Sequence, residues 1–104
     1  YIIVLKREGN RKRNSTVSWI RKRDLHILTS MSVTYTSDAR FTIVGNPERD
    51  DWNLRIDYVQ ARDAGIYECQ VNTEPKIYRA VTLKFVRSFA RLASRKFNTR
   101  PRFR

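Results

Sequence analysis

The sequence has little of several residues that define common classes of small protein. Its 104 residues include a single cysteine, a single histidine, three glycines and three prolines. One cysteine excludes an internal disulfide, and His26 has no cluster of thiols or carboxylates at metal-ligand spacing. So few glycines and prolines argue against a flexible low-complexity chain. No run approaches the roughly 18 apolar residues of a membrane span, and the apolar stretch 1–5 is too short for the core of a signal peptide.

Catalytic arrangements are equally scarce. The sequence has no nucleophile paired with a base, no phosphate-binding loop and no paired carboxylates with a defined geometry. Asp50 and Asp51 are adjacent, but they lie in a stretch rich in turn residues, where a solvated pair is the simpler interpretation. The sequence therefore predicts a protein that is not an enzyme and that binds no cofactor or metal.

The charge is strongly unbalanced, and the excess lies at the two ends. The net charge is +12, of which residues 1–23 and 85–104 carry +7 each, whereas residues 24–84 carry −2. A basic chain often binds nucleic acid or an anionic membrane surface, so binding through the charged ends is the alternative function. The nearly neutral centre makes nucleic acid the less favoured partner.

The most informative stretch is Asp63–Cys69, which reads D-A-G-I-Y-E-C. In an immunoglobulin-type sandwich, a tyrosine two residues before the strand-F cysteine hydrogen-bonds back across the preceding corner. Side chains alternate along a strand, so Tyr67 and Cys69 point the same way, into the core. We therefore expect Tyr67 to form this corner and Cys69 to be a buried thiol.

Segments before and after this corner supply the other strands of such a sandwich. Residues 17–22 alternate around Trp19, whose indole is expected to pack in the core. Arg40 opens a later strand and is expected to pair with Asp63 at the bottom of the sandwich. The other predicted strands are Leu25–Thr29, Val33–Ser37, Trp52–Asp57 and Ile77–Val86. The chain is thus predicted to be all-β, an immunoglobulin-like V-set antiparallel β-sandwich that lacks its N-terminal strands.

One domain with two basic flanks is predicted. Residues 1–13 are interpreted as a basic segment that could hold a remnant of strand B, residues 14–86 as the V-type domain, and residues 87–104 as a basic tail or linker. The apolar residues of the tail lie near helical spacing, so a basic amphipathic helix is the alternative there. Asn14 begins an N-x-T motif and is the candidate glycosylation site of a chain that enters the secretory pathway.

Two strings are far more specific than these general features. Trp19–Leu28 reads W-I-R-K-R-D-L-H-I-L and Tyr67–Lys76 reads Y-E-C-Q-V-N-T-E-P-K. They resemble the first immunoglobulin domain of the arthropod Dpr (defective proboscis extension response) family, and the resemblance covers residues 14–84. It implies a membrane-tethered or lipid-anchored neuronal surface protein with a second such domain. It also implies binding to the Dpr-interacting proteins, or DIPs, which are immunoglobulin-superfamily proteins, in synaptic partner choice.

The resemblance also implies which surface makes the contact. In that family recognition uses the face of the sheet formed by strands C, C′, C″, F and G, of which C, C′, C″ and G are here residues 17–22, Leu25–Thr29, Val33–Ser37 and Ile77–Val86. Alternation selects the outward side chains on C and F. On C′, Leu25 and Ile27 fall on one face and His26 and Leu28 on the other, and alternation leaves open which pair faces out. An exposed apolar centre ringed by polar groups is typical of such an interface. Weak self-association is left open, and the location implied is the extracellular face of the neuronal plasma membrane. The predicted partner-binding residues are Ile20, Lys22, His26, Leu28, Tyr35, Gln70 and Asn72.

The sequence departs from the family pattern near its start. The strand-B cysteine that would pair with Cys69 falls near Arg7, where no cysteine stands. We also expect this chain to hold no strands before B and no second domain after strand G. Such a disulfide is ordinarily worth about 2–5 kcal/mol to a small secreted domain. We therefore expect a partial version of the domain, with basic ends that come from outside it.

Overall fold

The computed structural model describes residues 2–7, 15–86 and 89–99 of the chain, which form nine β-strands and two short 3-10 helices. The strands are β1 (Ile3–Leu5), β2 (Val17–Arg21), β3 (His26–Ser30), β4 (Val33–Thr34), β5 (Phe41–Val44), β6 (Asn53–Ile56), β7 (Gly65–Val71), β8 (Ile77–Val86) and β9 (Phe89–Thr99). The 3-10 helices are Pro47–Arg49 and Ala61–Asp63. Within these ranges no helix has the length and apolar character needed to cross a membrane.

Two antiparallel sheets share one core. The first has the strand order β1-β6-β5, and the second has the order β4-β3-β2-β7-β8-β9. Alternate side chains of both sheets face inward, as the two-residue period of a strand requires, and they meet in a single apolar cluster. The predicted all-β antiparallel sandwich is therefore confirmed.

Trp19 lies at the centre of this core. Its side chain is fully buried on β2, and its ring N–H donates a hydrogen bond to the carbonyl oxygen of Trp52 at 2.8 Å. This bond satisfies the one polar atom of the indole, so the large ring is buried without an unpaired donor. It also ties the six-stranded sheet to the residue that precedes β6.

Strand β1 occupies the place beside β6 that strand B has in the V-set fold. It pairs antiparallel with β6, with Leu5 opposite Leu54, and both side chains are fully buried. Residues 3–5 therefore belong to the three-stranded sheet and contribute to the core.

Strand β9 continues the six-stranded sheet beyond β8. Its backbone pairs antiparallel with β8 along the whole of Ile77–Val86. The amphipathic helix considered for this segment is therefore wrong for residues 89–99. A β8 without this neighbour would leave a ten-residue edge of unpaired backbone N–H and C=O groups, and pairing with β9 satisfies that edge.

A β-bulge in β3 changes which of its side chains face the core. Trp19 lies opposite Thr29 whereas Ile20 lies opposite Ile27, so Leu28 is the extra residue of the pair. Leu28 and Thr29 are both fully buried. The prediction of Leu28 as a partner-binding residue on the outer face is wrong, because the bulge turns Leu28 into the core and leaves Ile27 outside.

Candidate functional site

The outer face of the six-stranded sheet carries exposed apolar side chains near β3 and β4. Leu25 is 67% exposed, Ile27 49%, Val33 52% and Tyr35 60%, and we call these four residues the apolar patch. Single exposed apolar residues are common on any protein surface, but a group of them on adjoining segments marks an interaction site. The patch is therefore the first candidate for a binding surface.

A cavity of about 560 Å³ opens beside the apolar patch. It lies over the pair of β2 and β3, where the Ser18 hydroxyl donates a hydrogen bond to Ser30 Oγ at 3.2 Å. Leu25, Ile27 and Tyr35 line it together with these hydroxyls. The volume is within the range of about 300–1,000 Å³ that is typical of ligand pockets. A cavity of this composition can accept an apolar side chain and offer it hydrogen-bonding neighbours.

A polar cluster adjoins the patch on the same face. Glu68 Oε1 accepts a hydrogen bond from Gln70 Nε2 at 3.1 Å and lies 3.6 Å from Lys22 Nζ. The Glu68 side chain is only 1% exposed, whereas that of Lys22 is 34% exposed. A buried carboxylate requires such partners, because an unpaired charge is costly to remove from water. The cluster holds charged and amide groups in fixed positions next to Ile20, which lies opposite Glu68.

The predicted partner-binding residues divide between surface and core. Ile20 points to the outer face but is only 9% exposed, and Leu28 is buried. The predicted glycosylation residue, Asn14, lies outside the described residues. The members of the predicted set that remain at least partly accessible are Lys22, His26, Tyr35, Gln70 and Asn72.

Sequence reasoning did not select Ile27 on β3, or Leu25 in the turn before it, as outward-facing residues. The sequence left open whether these two or His26 and Leu28 face out, because both pairs fit an alternating strand. A bulge depends on how β3 packs against β2, so the alternation pattern gives no signal for it. Val33 was not selected, although it begins the predicted strand Val33–Ser37. In the structure this strand, β4, is only two residues long, and both of its side chains are exposed.

The corner below the sandwich holds a double ion pair. Arg40 Nη1 and Nη2 lie 2.7 and 2.9 Å from the two carboxylate oxygens of Asp63. The same guanidinium also donates to Asp38, at 2.9 Å from Nη2 to Oδ2. Burial disfavours the charged form of Asp63, but the hydrogen bonds from Arg40 and from the Gln60 amide outweigh burial and lower the pKa of this carboxyl. The corner is thus held by charges that remain ionised at neutral pH.

Tyr67 closes the same corner from the core. Its hydroxyl donates to the carbonyl oxygen of Asp63 at 2.6 Å, which is the backward hydrogen bond of the sequence motif. Burial, together with the nearby Asp63 carboxylate, raises the pKa of the Tyr67 hydroxyl to about 12. The bond fixes the entry to β7 and therefore the register of the strand that carries Glu68 and Gln70.

Cys69 is a free, buried thiol with an arginine as its neighbour. Burial raises the pKa of the Cys69 thiol to about 12, and the positive charge of nearby Arg7 opposes this effect without reversing it. Arg7 is itself 6% exposed, and its backbone N–H donates to Asn53 Oδ1 at 2.7 Å. A buried arginine thus occupies the region where the resemblance places the partner cysteine, and the thiol is inert at neutral pH.

Comparison with known proteins relates this geometry to a family. The immunoglobulin V-set domain matches the chain over residues 3–85. A comparison with curated protein sequences found no significant match.

Solved structures with the same architecture are similar in sequence as well. A crystal structure of Dpr1 IG1 bound to DIP-eta IG1 is 49% identical with a TM-score of 0.75, over 79% of this chain and 77% of that chain. Dpr11 IG1 bound to DIP-gamma IG+IG2 is 47% identical with a TM-score of 0.74, over 82% and 88% of the two chains. Dpr2 Ig1-Ig2 in complex with DIP-Theta Ig1-Ig3 is 50% identical with a TM-score of 0.77, over 83% of this chain and 39% of that longer chain.

Proposed function

The chain belongs to the immunoglobulin V-set family, as a first domain of the Dpr type, and on that premise we propose that it is a cell-surface recognition module that binds an immunoglobulin domain of the DIP type. The observation that carries this proposal is the set of three similar structures, at 47–50% identity, in which Dpr domains are in complex with DIP domains. The proposed setting is the extracellular face of the neuronal plasma membrane, in the choice of synaptic partners.

The contact is centred on the apolar patch of the six-stranded sheet. Ile27 projects from β3, the second strand of the six-stranded sheet, and borders the 560 Å³ cavity, so it can serve as the aliphatic anchor of the interface. Buried aliphatic and aromatic anchors at the centre of an interface carry most of its energy, and polar groups at the rim add specificity. Lys22, Gln70 and Asn72 provide that rim on the side of β7.

The backbone at Leu25 supports the same assignment. Leu25 has φ +55°, in the left-handed region that residues other than glycine seldom adopt, and it presents its side chain to solvent. Backbone strain of this kind costs of order 1–3 kcal/mol and persists mainly at binding and catalytic sites. The turn after β2 therefore holds an apolar side chain in solvent beside Ile27.

Binding of the purified chain to an immobilised DIP-type first domain tests the proposal, with Ile27→Asp as the variant. Loss of an interface anchor of about 2 kcal/mol weakens binding by roughly 30-fold. Ile2→Asp is the matched control, since Ile2 is 57% exposed but precedes β1 in the other sheet.

Circular dichroism establishes that both variants keep the β fold. The proposal predicts that only Ile27→Asp reduces affinity. Equal affinity of both folded variants and the unaltered chain would remove the apolar patch from the interface.

A further inference from the structure

A second cavity, of about 270 Å³, lies at the end of the domain where the β2–β3 turn, the β4–β5 connection and the corner before β7 meet. Its wall is charged and polar almost throughout, and it includes four arginines, Arg21, Arg23, Arg40 and Arg62. Among the residues that the structure describes, His26 alone borders both this cavity and the apolar one. Four guanidinium groups and two carboxylates, those of Asp38 and Asp63, line the cavity, so its wall carries an excess of positive charge.

Two of these arginines are fully matched. Arg40 lies between Asp63 and Asp38, and its Nη2 donates to Asp63 Oδ1 and to Asp38 Oδ2, at 2.9 Å in each case. Arg21 donates from Nε and Nη2 to the two carboxylate oxygens of Asp24, at 3.1 Å each. The three carboxylates at this end of the domain are therefore already committed to Arg21 and Arg40.

The other two arginines are not matched. Within the part of the chain that the structure describes, neither Arg23 nor Arg62 forms an ion pair with a carboxylate. Arg23 Nη1 instead donates to the main-chain carbonyl oxygen of Arg62, which is a neutral acceptor. This contact brings Arg23 against the segment that carries Arg62. Arg23 interacts electrostatically with Asp24, and Arg62 with Asp38 and Asp63, but each of these carboxylates is hydrogen-bonded to Arg21 or Arg40 instead.

Hydroxyl groups complete the wall between them. Thr36 Oγ1 accepts a hydrogen bond from the Asp38 amide at 3.1 Å, which leaves its own proton available for donation. Ser37 follows in the same loop and lines the cavity as well. Guanidinium forks bind the oxygens of sulfate and phosphate groups in pairs, and hydroxyl donors supplement them. The cavity thus combines charge, fork geometry and neutral donors.

We propose that this cavity binds a tetrahedral oxyanion, a sulfate or phosphate group, between Arg23 and Arg62 with the hydroxyls of Thr36 and Ser37. Its volume is just below the roughly 300 Å³ at which pockets for drug-sized ligands begin, which suits a small anionic group. The anion is either a free inorganic ion or an ester group on a sulfated carbohydrate chain. The inference does not depend on the DIP-type partner, since the site lies at one end of the domain.

Titration of the isotopically labelled full chain with sodium sulfate, followed by NMR, tests this site. Sodium chloride at matched ionic strength corrects for general salt effects. Saturable shifts are expected at the amides of Thr36, Ser37 and Arg62. Because each charge-assisted hydrogen bond contributes strongly, Arg23→Ala and Arg62→Ala should each weaken sulfate binding by about 10-fold. Arg62→Lys keeps the charge but loses the fork, and we expect an intermediate affinity.

Arg49→Ala is the control, because Arg49 lies in the β5–β6 turn at the opposite end of the domain. It removes the same charge and should leave sulfate binding unchanged. A heparin-derived tetrasaccharide is titrated in the same way. If it shifts the same amide signals at about 10-fold lower concentration than sulfate, the ligand is a sulfated carbohydrate chain, and if its affinity equals that of sulfate, the ligand is the free anion. Shifts that do not saturate, or an equal loss in Arg49→Ala and Arg62→Ala, would overturn the site.

Discussion

The Arg40 guanidinium holds both carboxylate oxygens of Asp63, at 2.7 and 2.9 Å, and joins the start of β5 to the corner before β7. The two side chains differ in exposure, with Arg40 at 15% and Asp63 at 1%. Asp63 also accepts from the Gln60 amide at 2.7 Å through Oδ2, and its carbonyl oxygen accepts from Tyr67. One aspartate thus organises the backbone from which β7 begins.

Asp63→Asn should therefore destabilise the domain strongly. Removing one partner of a buried pair leaves the other charge uncompensated and costs about 3–5 kcal/mol, and we expect the lower end because Arg40 keeps Asp38. Urea unfolding followed by tryptophan fluorescence measures the change. Asp57→Asn is the control, because Asp57 pairs with Arg55 at the surface, where the two side chains are 30% and 41% exposed, respectively. Such exposed pairs contribute about 1 kcal/mol or less to the free energy of unfolding. Equal losses in the two variants would contradict the role of Asp63.

Stability should fall in acid because of the same carboxyl. The pKa of Asp63 is lower in the folded domain than in the unfolded chain, where an aspartate has a pKa of about 3.9. Its contribution to the free energy of unfolding is therefore complete above about pH 4 and is lost as the pH falls through the folded pKa. Urea unfolding at a series of pH values should show a smaller acid dependence in Asp63→Asn than in the unaltered chain. An identical dependence in both would assign the acid sensitivity to other groups.

The bulge in β3 predicts opposite behaviour for two neighbouring residues. Leu28→Ala empties a fully buried position and should reduce the free energy of unfolding by about 2–5 kcal/mol. Ile27→Ala, at a side chain that is 49% exposed, should change it much less. Thermal and urea unfolding of both variants checks the assignment. A larger loss from Ile27→Ala than from Leu28→Ala would mean that β3 presents its other face to the core.

Cys69 should resist modification in the folded domain. Only the thiolate reacts, and burial, which raises the pKa of this thiol to about 12, leaves very little thiolate at pH 8. Alkylation by iodoacetamide, followed by mass spectrometry, should be slow in buffer and fast in urea. Comparable rates in the two conditions would place the thiol at the surface.

Local sequence patterns were sufficient for the corner and the core. The D-x-G-x-Y-x-C run predicted the Tyr67 hydrogen bond, and the alternation around Trp19 predicted a buried indole, because both depend on residues close in sequence and on strand periodicity. The Arg40 and Asp63 pair is more distant in sequence, yet it follows once the corner is recognised.

Features that depend on long-range packing were not predictable in this way. The bulge at Leu28 shifts β3 by one residue, and a shift of one residue exchanges the two faces of a strand. Strand β9 supplies hydrogen-bond partners to the backbone edge of β8. The composition of residues 89–99 does not reveal this pairing. The position of Arg23 and Arg62 beside one cavity depends on the packing of three loops that are distant in sequence.

Binding of the folded full chain to a panel of DIP-type ectodomains at about 50 and about 200 mM salt tests the central claim most directly. A protein that binds through about six to ten contacts with phosphate groups loses about 10³–10⁵-fold in affinity over this range of salt. The affinity of an interface centred on apolar side chains depends far less on salt. The account predicts saturable binding to a subset of the panel, with affinities that change little between the two conditions. Binding to every member only at the lower salt concentration, or no binding by a chain that circular dichroism finds folded, would contradict it.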